Sequence, residues 1–200
     1  MSSWYRHLPS EFEPAGVELL AGGSLSSTWV ARWREQPQEA VIHDSEQGWV
    51  SGQELLDRSE VIARKLGRAG VEPGDRVLLS AASSAGLVAA HAAVLRLGAV
   101  VMPTNGAYRA EEVAHVVTDA RPKVAIVEQP EWIEWIHAAD PNVVVTSPSV
   151  DLDMGPSVQL DQAQSETPAL IGYTSGTTGR PKGAVLSHGN LLSSVRGLEI

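Results

Sequence analysis

The residues best placed to do chemistry lie between Leu170 and Asn190, a stretch that reads LIGYTSGTTGRPKGAVLSHGN. An apolar run, Ala169-Leu170-Ile171, leads into Thr174-Ser175-Gly176-Thr177-Thr178-Gly179. Arg180, Pro181, Lys182 and Gly183 follow, and then a second apolar run, Ala184-Val185-Leu186. This is a hydroxyl-rich glycine loop between two strands, with a lysine just beyond it. Glycines let successive N–H groups converge on one point, and such a concavity binds anions. The hydroxyls of Thr174, Ser175, Thr177 and Thr178 add donors, and Lys182 adds a mobile positive charge. A polyphosphate fits that chemistry.

Two commoner phosphate loops are excluded by spacing. The P-loop requires Lys followed directly by Ser or Thr, whereas Gly183 follows Lys182 and Pro181 precedes it. The dinucleotide fingerprint G-x-G-x-x-G is absent, because the glycines fall at 172, 176, 179 and 183. Gly, Ser and Thr would also suit a hairpin loop with no ligand. Arg180-Pro181-Lys182-Gly183 behind the loop, Tyr173 before it and Ser187-His188-Gly189-Asn190 after it argue for the binding loop instead.

YTSGTTGRPKGAVLSHGN resembles the phosphate-loop signature of the adenylate-forming superfamily: acyl-CoA synthetases, adenylation domains of peptide synthetases, and luciferases. Thr177 and the Ser187-His188-Gly189-Asn190 ending lean towards the acyl-CoA synthetases. GVEPGDRV (70–77) and AAVLRLGAVVMPTNGAYRAEEVAHVVTDARPKVAIVE (92–128) are similar to the first subdomain of those enzymes, so the resemblance covers most of the chain.

That resemblance implies a two-step reaction. A carboxylic acid, fatty or another small organic acid, attacks the α-phosphorus of ATP to give an acyl-adenylate and pyrophosphate. Coenzyme A thiolate then displaces AMP. Thr174, Ser175, Gly176, Thr177, Thr178, Gly179 and Lys182 would grip the β- and γ-phosphates and offset charge on the departing pyrophosphate. ATP, Mg²⁺ and coenzyme A are the implied cofactors. The residues that hold adenine and ribose, the partners of Mg²⁺, the acyl pocket and the catalytic lysine all follow the loop in the family. No catalytic residue is therefore expected among these 200 residues.

Strands and helices must position that loop, and their alternation predicts the fold. Arg76–Leu79, Ala99–Met102, Lys123–Val127 and Asn142–Val145 read as strands; Ser83–Leu97, Arg109–Asp119 and Pro130–Ala138 read as helices. Strand, helix, strand at this spacing means βαβ units: an α/β fold with a mostly parallel sheet flanked by helices. Ahead of it, Glu39–His43 and Trp49-Val50 predict a hairpin. Ser51-Gly52-Gln53-Glu54 predicts a capping box opening a helix with Leu55, Leu56, Ser59, Ile62, Ala63 and Leu66 on one face. A first helix is expected near Ser26–Glu35. Residues 1–28 are read as an N-terminal arm and 29–200 as the N-terminal part of an AMP-binding domain.

Composition bounds the function. Net charge −9 and a sequence pI of about 5.1 give no basic field for nucleic acid. With no cysteine, disulfides, thiolate metal sites and thiol nucleophiles are excluded. No metal site is read. The Ala-rich stretch from Ala81 to Met102 is interrupted by His91 and Arg96, which suits buried helix and strand rather than a membrane span. A cytoplasmic location is expected.

Other residues of suggestive type read as structural. His91, His115 and His137 sit in helical patterns without a partner at ligand spacing. Trp132, Ile133, Trp135 and Ile136 form a stripe expected in the core. Glu111-Glu112 suits a helix's first turn, and Asn105-Gly106, where the family shows proline after Asn, reads as a turn. His188 is expected either to cap the helix that starts beside it or to face the acyl pocket, with capping favoured.

The chain stops inside a helical pattern at Arg196–Ile200, without a stop signal. The expectation is an N-terminal piece of a chain more than twice as long, inactive alone and with exposed strand edges. The alternative is a stand-alone module that binds nucleotide or polyphosphate, or a partner, without catalysis.

Overall fold

The computed structural model describes residues 23–174 and 180–198. The element order is α1 (Leu25–Glu35), β1 (Ala40–Asp44), β2 (Gly48–Ser51), α2 (Gly52–Arg68), β3 (Arg76–Ser80), α3 (Ala85–Arg96), β4 (Val100–Pro103), α4 (Ala110–Ala120), β5 (Val124–Val127), α5 (Glu131–Ala139), β6 (Val144–Thr146), β7 (Pro168–Thr174), β8 (Lys182–Ser187) and α6 (His188–Leu198). Most of the proposed arm, residues 1–22, lies outside the described residues. Its last part, Leu25–Thr28, forms the first turn of α1.

β1 and β2 pair antiparallel as a hairpin, and the other strands form one sheet in the order β6-β5-β3-β4-β7-β8. β3 pairs in parallel with β4 and β5, β5 with β6, and β4 with β7. Only β8 runs antiparallel, alongside β7.

Alternation along the strands sends side chains to two faces. Val77, Leu79, Val101, Val124 and Ile126 face α1, α2 and α3 in one core cluster. Leu78, Met102, Ala125 and Val127 face α4 and α5 in the other, with Val113, Val116, Val117, Trp132 and Ile136. Helices therefore cover both faces. α3 lies deepest: Ala89, Ala90, Ala92 and Ala93 are fully buried, their small side chains permitting close approach of sheet and α2. Gly98, at φ 76°, ends α3; its N–H donates to Leu95 O at 3.0 Å while Ala99 N–H reaches Val94 O at 3.1 Å, turning the chain into β4.

The capping box is present. Glu54 N–H donates to Ser51 Oγ at 3.3 Å, and Ser51 N–H donates to Glu54 Oε2 at 2.8 Å. One α3 residue departs from the apolar pattern: Arg96 is 2% exposed and meets Asp161 at 3.2 Å, while its Nη1 donates to Ser59 Oγ at 2.8 Å and Leu56 O at 3.1 Å. It ties α3, α2 and the 147–167 connection together. In α5 the expected core stripe is only partly inside. Trp132 and Ile136 are buried, but Ile133 is exposed, because residues four apart share a helical face whereas Ile133 is turned about 100° from Trp132.

Candidate functional site: the base of a phosphate loop

β7 runs parallel to β4, so Thr174 stands at the carboxyl edge of the sheet, where open α/β folds bind ligands. Thr174 pairs with Lys182 across the β7–β8 ladder, and Tyr173 pairs with Gly183. The loop thus opens and closes on adjacent strands, and its threonine and lysine face one another at the base. Both are exposed. Ser175, Gly176, Thr177, Thr178 and Gly179 lie outside the described residues.

The base is fastened to α4. Tyr173 Oη donates to Asp119 Oδ2 at 2.6 Å, and His115 Nε2 donates to the Pro181 carbonyl at 2.8 Å, which can only accept. The His115 and Tyr173 rings meet edge to face at 6.2 Å. Burial, then the neighbouring Asp119, pushes the Tyr173 hydroxyl above the ordinary tyrosine range, so it stays a donor. A cavity of about 750 Å³ beside this contact is lined by Glu111, Glu112, His115, Thr118 and Arg180, among others. Glu112 Oε2 accepts from Arg109 N–H at 2.9 Å, consistent with helix-start chemistry. Asn105 Oδ1 accepts from Ala107 N–H at 3.0 Å, and its carbonyl accepts from Tyr108 N–H at 3.0 Å; Asn105-Gly106 is a turn, as read.

His188 does not cap α6. Ser187 does: Asn190 N–H donates to Ser187 Oγ at 3.2 Å, and Ser187 N–H donates to Asn190 Oδ1 at 3.0 Å. His188, one position further on, is fully buried. Its Nδ1 accepts from Leu25 N–H at 3.2 Å, satisfying an otherwise orphaned donor at the start of α1. The proton must then sit on Nε2. Burial pushes its pKa down, keeping the ring neutral.

Sequence reading missed His115, Asp119 and the second role of Tyr173. Spacing four apart on α4 was visible, but nothing local marks a helix as the neighbour of a loop 54–66 residues away.

The family model described as "AMP-binding enzyme" matches residues 29–200. The chain belongs to the AMP-binding enzyme family. This AMP-binding chain is 31% identical over 205 residues to a probable non-canonical nonribosomal peptide synthetase, CymA, of Salinispora arenicola, covering 96% of the chain and 3% of that protein. It is 33% identical over 184 residues to malformin synthetase mlfA of Aspergillus homomorphus, covering 90% and 3%. It is similar in structure to VinN, with TM-score 0.76 and 23% identity over 90% of this chain and 47% of that one. Similarity to ATP-bound MatB from Rhodopseudomonas palustris has TM-score 0.71 and 30% identity, over 83% and 36%. The AMP-binding chain thus spans about half or less of these solved chains, and a few per cent of the two synthetases. Among the described residues, no helix is long and apolar enough to cross a membrane.

Proposed function

We propose that this chain supplies the phosphate-gripping part of an ATP-dependent enzyme that activates a carboxylic acid as its acyl-adenylate, releasing pyrophosphate. The observation that carries the reading is the pairing of Thr174 with Lys182 at the carboxyl edge of the sheet, inside a family match that covers residues 29–200. Lys182 extends into solvent from that edge and is set to offset charge on the β- and γ-phosphates. Thr174, Ser175, Thr177 and Thr178 supply hydroxyl donors, while Gly176 and Gly179 let backbone N–H groups converge. The contribution is positioning and electrostatics, not bond-making. Mg²⁺ would arrive with the nucleotide phosphates; among the described residues, no group of three His, Asp or Glu side chains could hold a metal.

In the second step a thiol displaces AMP. Thr177 and Ser187-His188-Gly189-Asn190 support coenzyme A as that thiol, giving an acyl-CoA. A carrier-protein thiol is the second reading, supported by the peptide synthetases among the relatives.

ATP–pyrophosphate exchange tests the first step, run on the whole protein that carries this chain rather than on residues 1–200 alone, with a panel of fatty, short organic and amino acids. Exchange that depends on one acid class supports the reading, and no exchange with any acid overturns it. Mass spectrometry of products formed with coenzyme A or a phosphopantetheinylated carrier then separates the two acceptors.

A further inference from the structure

We propose that His115 and Asp119 are positioning residues for the phosphate loop: through Pro181 and Tyr173 they clamp both ends of the loop to one face of α4. The inference rests on the adenylation reading and adds residues outside the loop motif.

One contact falls at each end of the loop. Tyr173 immediately precedes Thr174, and Pro181 immediately precedes Lys182. Each of the two phosphate-facing residues is therefore one peptide from a tether. The Tyr173–Asp119 bond is short, 2.6 Å, as befits a hydroxyl donating to a carboxylate. The His115–Pro181 bond, 2.8 Å, uses a carbonyl with no N–H of its own. His115 and Asp119 are four residues apart and share one helical face. Gly183 leaves room for the arrangement: a Cβ there would stand 3.3 Å from Tyr173 Cζ and 3.0 Å from Ile171 Cγ2. A side chain at 183 would require Ile171 and the Tyr173 ring to give way by a few tenths of an ångström.

The physical effect is pre-organisation. Ordering a loop around nucleotide costs conformational entropy at the moment of binding. Holding the base of Thr174–Arg180 on a helix that is itself packed through Val113, Val116 and Val117 removes part of that cost beforehand. The tethers touch no phosphate; they act on affinity through Thr174 and Lys182.

The test uses the whole protein that carries this chain, with Tyr173→Phe, His115→Ala and His115→Gln, beside Lys182→Ala. Calorimetry reads ATP affinity, pyrophosphate exchange reads KM for ATP and kcat, and thermal melting reads stability. Tyr173→Phe and His115→Ala are each expected to weaken ATP binding and raise its KM about tenfold, with kcat within about twofold. Melting temperature should stay within a few degrees. His115→Gln, whose amide still reaches the Pro181 carbonyl as a donor, should recover most of the loss. Unchanged ATP affinity, or a loss that tracks melting temperature and is not recovered by Gln, overturns the clamp. If Lys182→Ala alone abolishes exchange, the adenylation reading stands and the clamp falls. If unaltered chain binds ATP but exchanges pyrophosphate with no acid, that reading falls, and ATP affinity still decides the clamp. Absence of ATP binding by unaltered chain overturns both.

Discussion

His188 Nδ1 accepts the backbone N–H of Leu25 at 3.2 Å, joining α6 to α1. The ring is fully buried and its Nε2 has no partner among the described residues. Replacing His188 by Ala strands the Leu25 N–H and opens a cavity. The expected cost is about 2–4 kcal/mol, with α1 and α6 losing amide protection together. Urea unfolding with hydrogen exchange checks this; a change confined to α6 would contradict the link.

Lys182→Ala is expected to lower adenylation by about two orders of magnitude or more while leaving the fold intact, since Lys182 is exposed and forms no ion pair with any described residue. Pyrophosphate exchange alongside circular dichroism measures both. A near-normal rate would remove Lys182 from the phosphate site.

Stability should depend on pH through His91. Burial pushes its pKa from 6.5 down to about 4, against the edge of Trp29 at 6.1 Å. Between those values the unfolded chain binds a proton that the folded chain refuses, so stability rises with pH there. It is therefore complete above the unfolded value and lost as pH falls towards the folded one, by on the order of 3 kcal/mol. Urea midpoints at about pH 7.5 and about pH 4.5 should differ less in His91→Gln than in unaltered chain. Equal slopes in the two would assign the acid sensitivity elsewhere, His188 being the other buried histidine pushed down.

Asp161→Asn isolates the charge of a buried pair. Asp161 sits at φ 61°, a conformation Asn tolerates, so the backbone should not object. What changes is that Arg96, 2% exposed, loses the carboxylate at 3.2 Å. Removing one partner of a fully buried pair costs about 3–5 kcal/mol; Asp161 is 19% exposed and Asn keeps an oxygen, so the expected loss is about 1–3 kcal/mol. Thermal unfolding that is unchanged would mean that Ser59 and Leu56 alone satisfy the guanidinium.

Much of the fold was legible because it is written in local periods. The capping box at Ser51 and Glu54 needs only a three-residue spacing. The strands at 76–80, 100–103 and 124–127 announce themselves as short apolar runs between helical patterns. The mismatch of one or two residues at their ends, such as α3 opening at Ala85 rather than Ser83, follows from Ser84 Oγ taking the Leu87 N–H at 3.1 Å. Serine at 83 or 84 could have capped equally well by type. Likewise the cap expected of His188 is taken by its neighbour Ser187, whose hydroxyl has the shorter reach to the Asn190 amide.

By itself the sequence determined the class of fold and the family, the first from the alternation of short apolar runs with helical patterns and the second from residue type and spacing in its motifs. Tertiary structure decided which side chains meet the residues that flank the loop. His115 and Pro181 are 66 residues apart, Tyr173 and Asp119 54, and His188 and Leu25 163. Contacts at such separations depend on strand order: β7 joins the sheet beside β4 rather than beside its sequence neighbour β6. That placement brings the loop against α4, and it is a property of how the sheet closes its two hydrophobic faces, not of any local pattern.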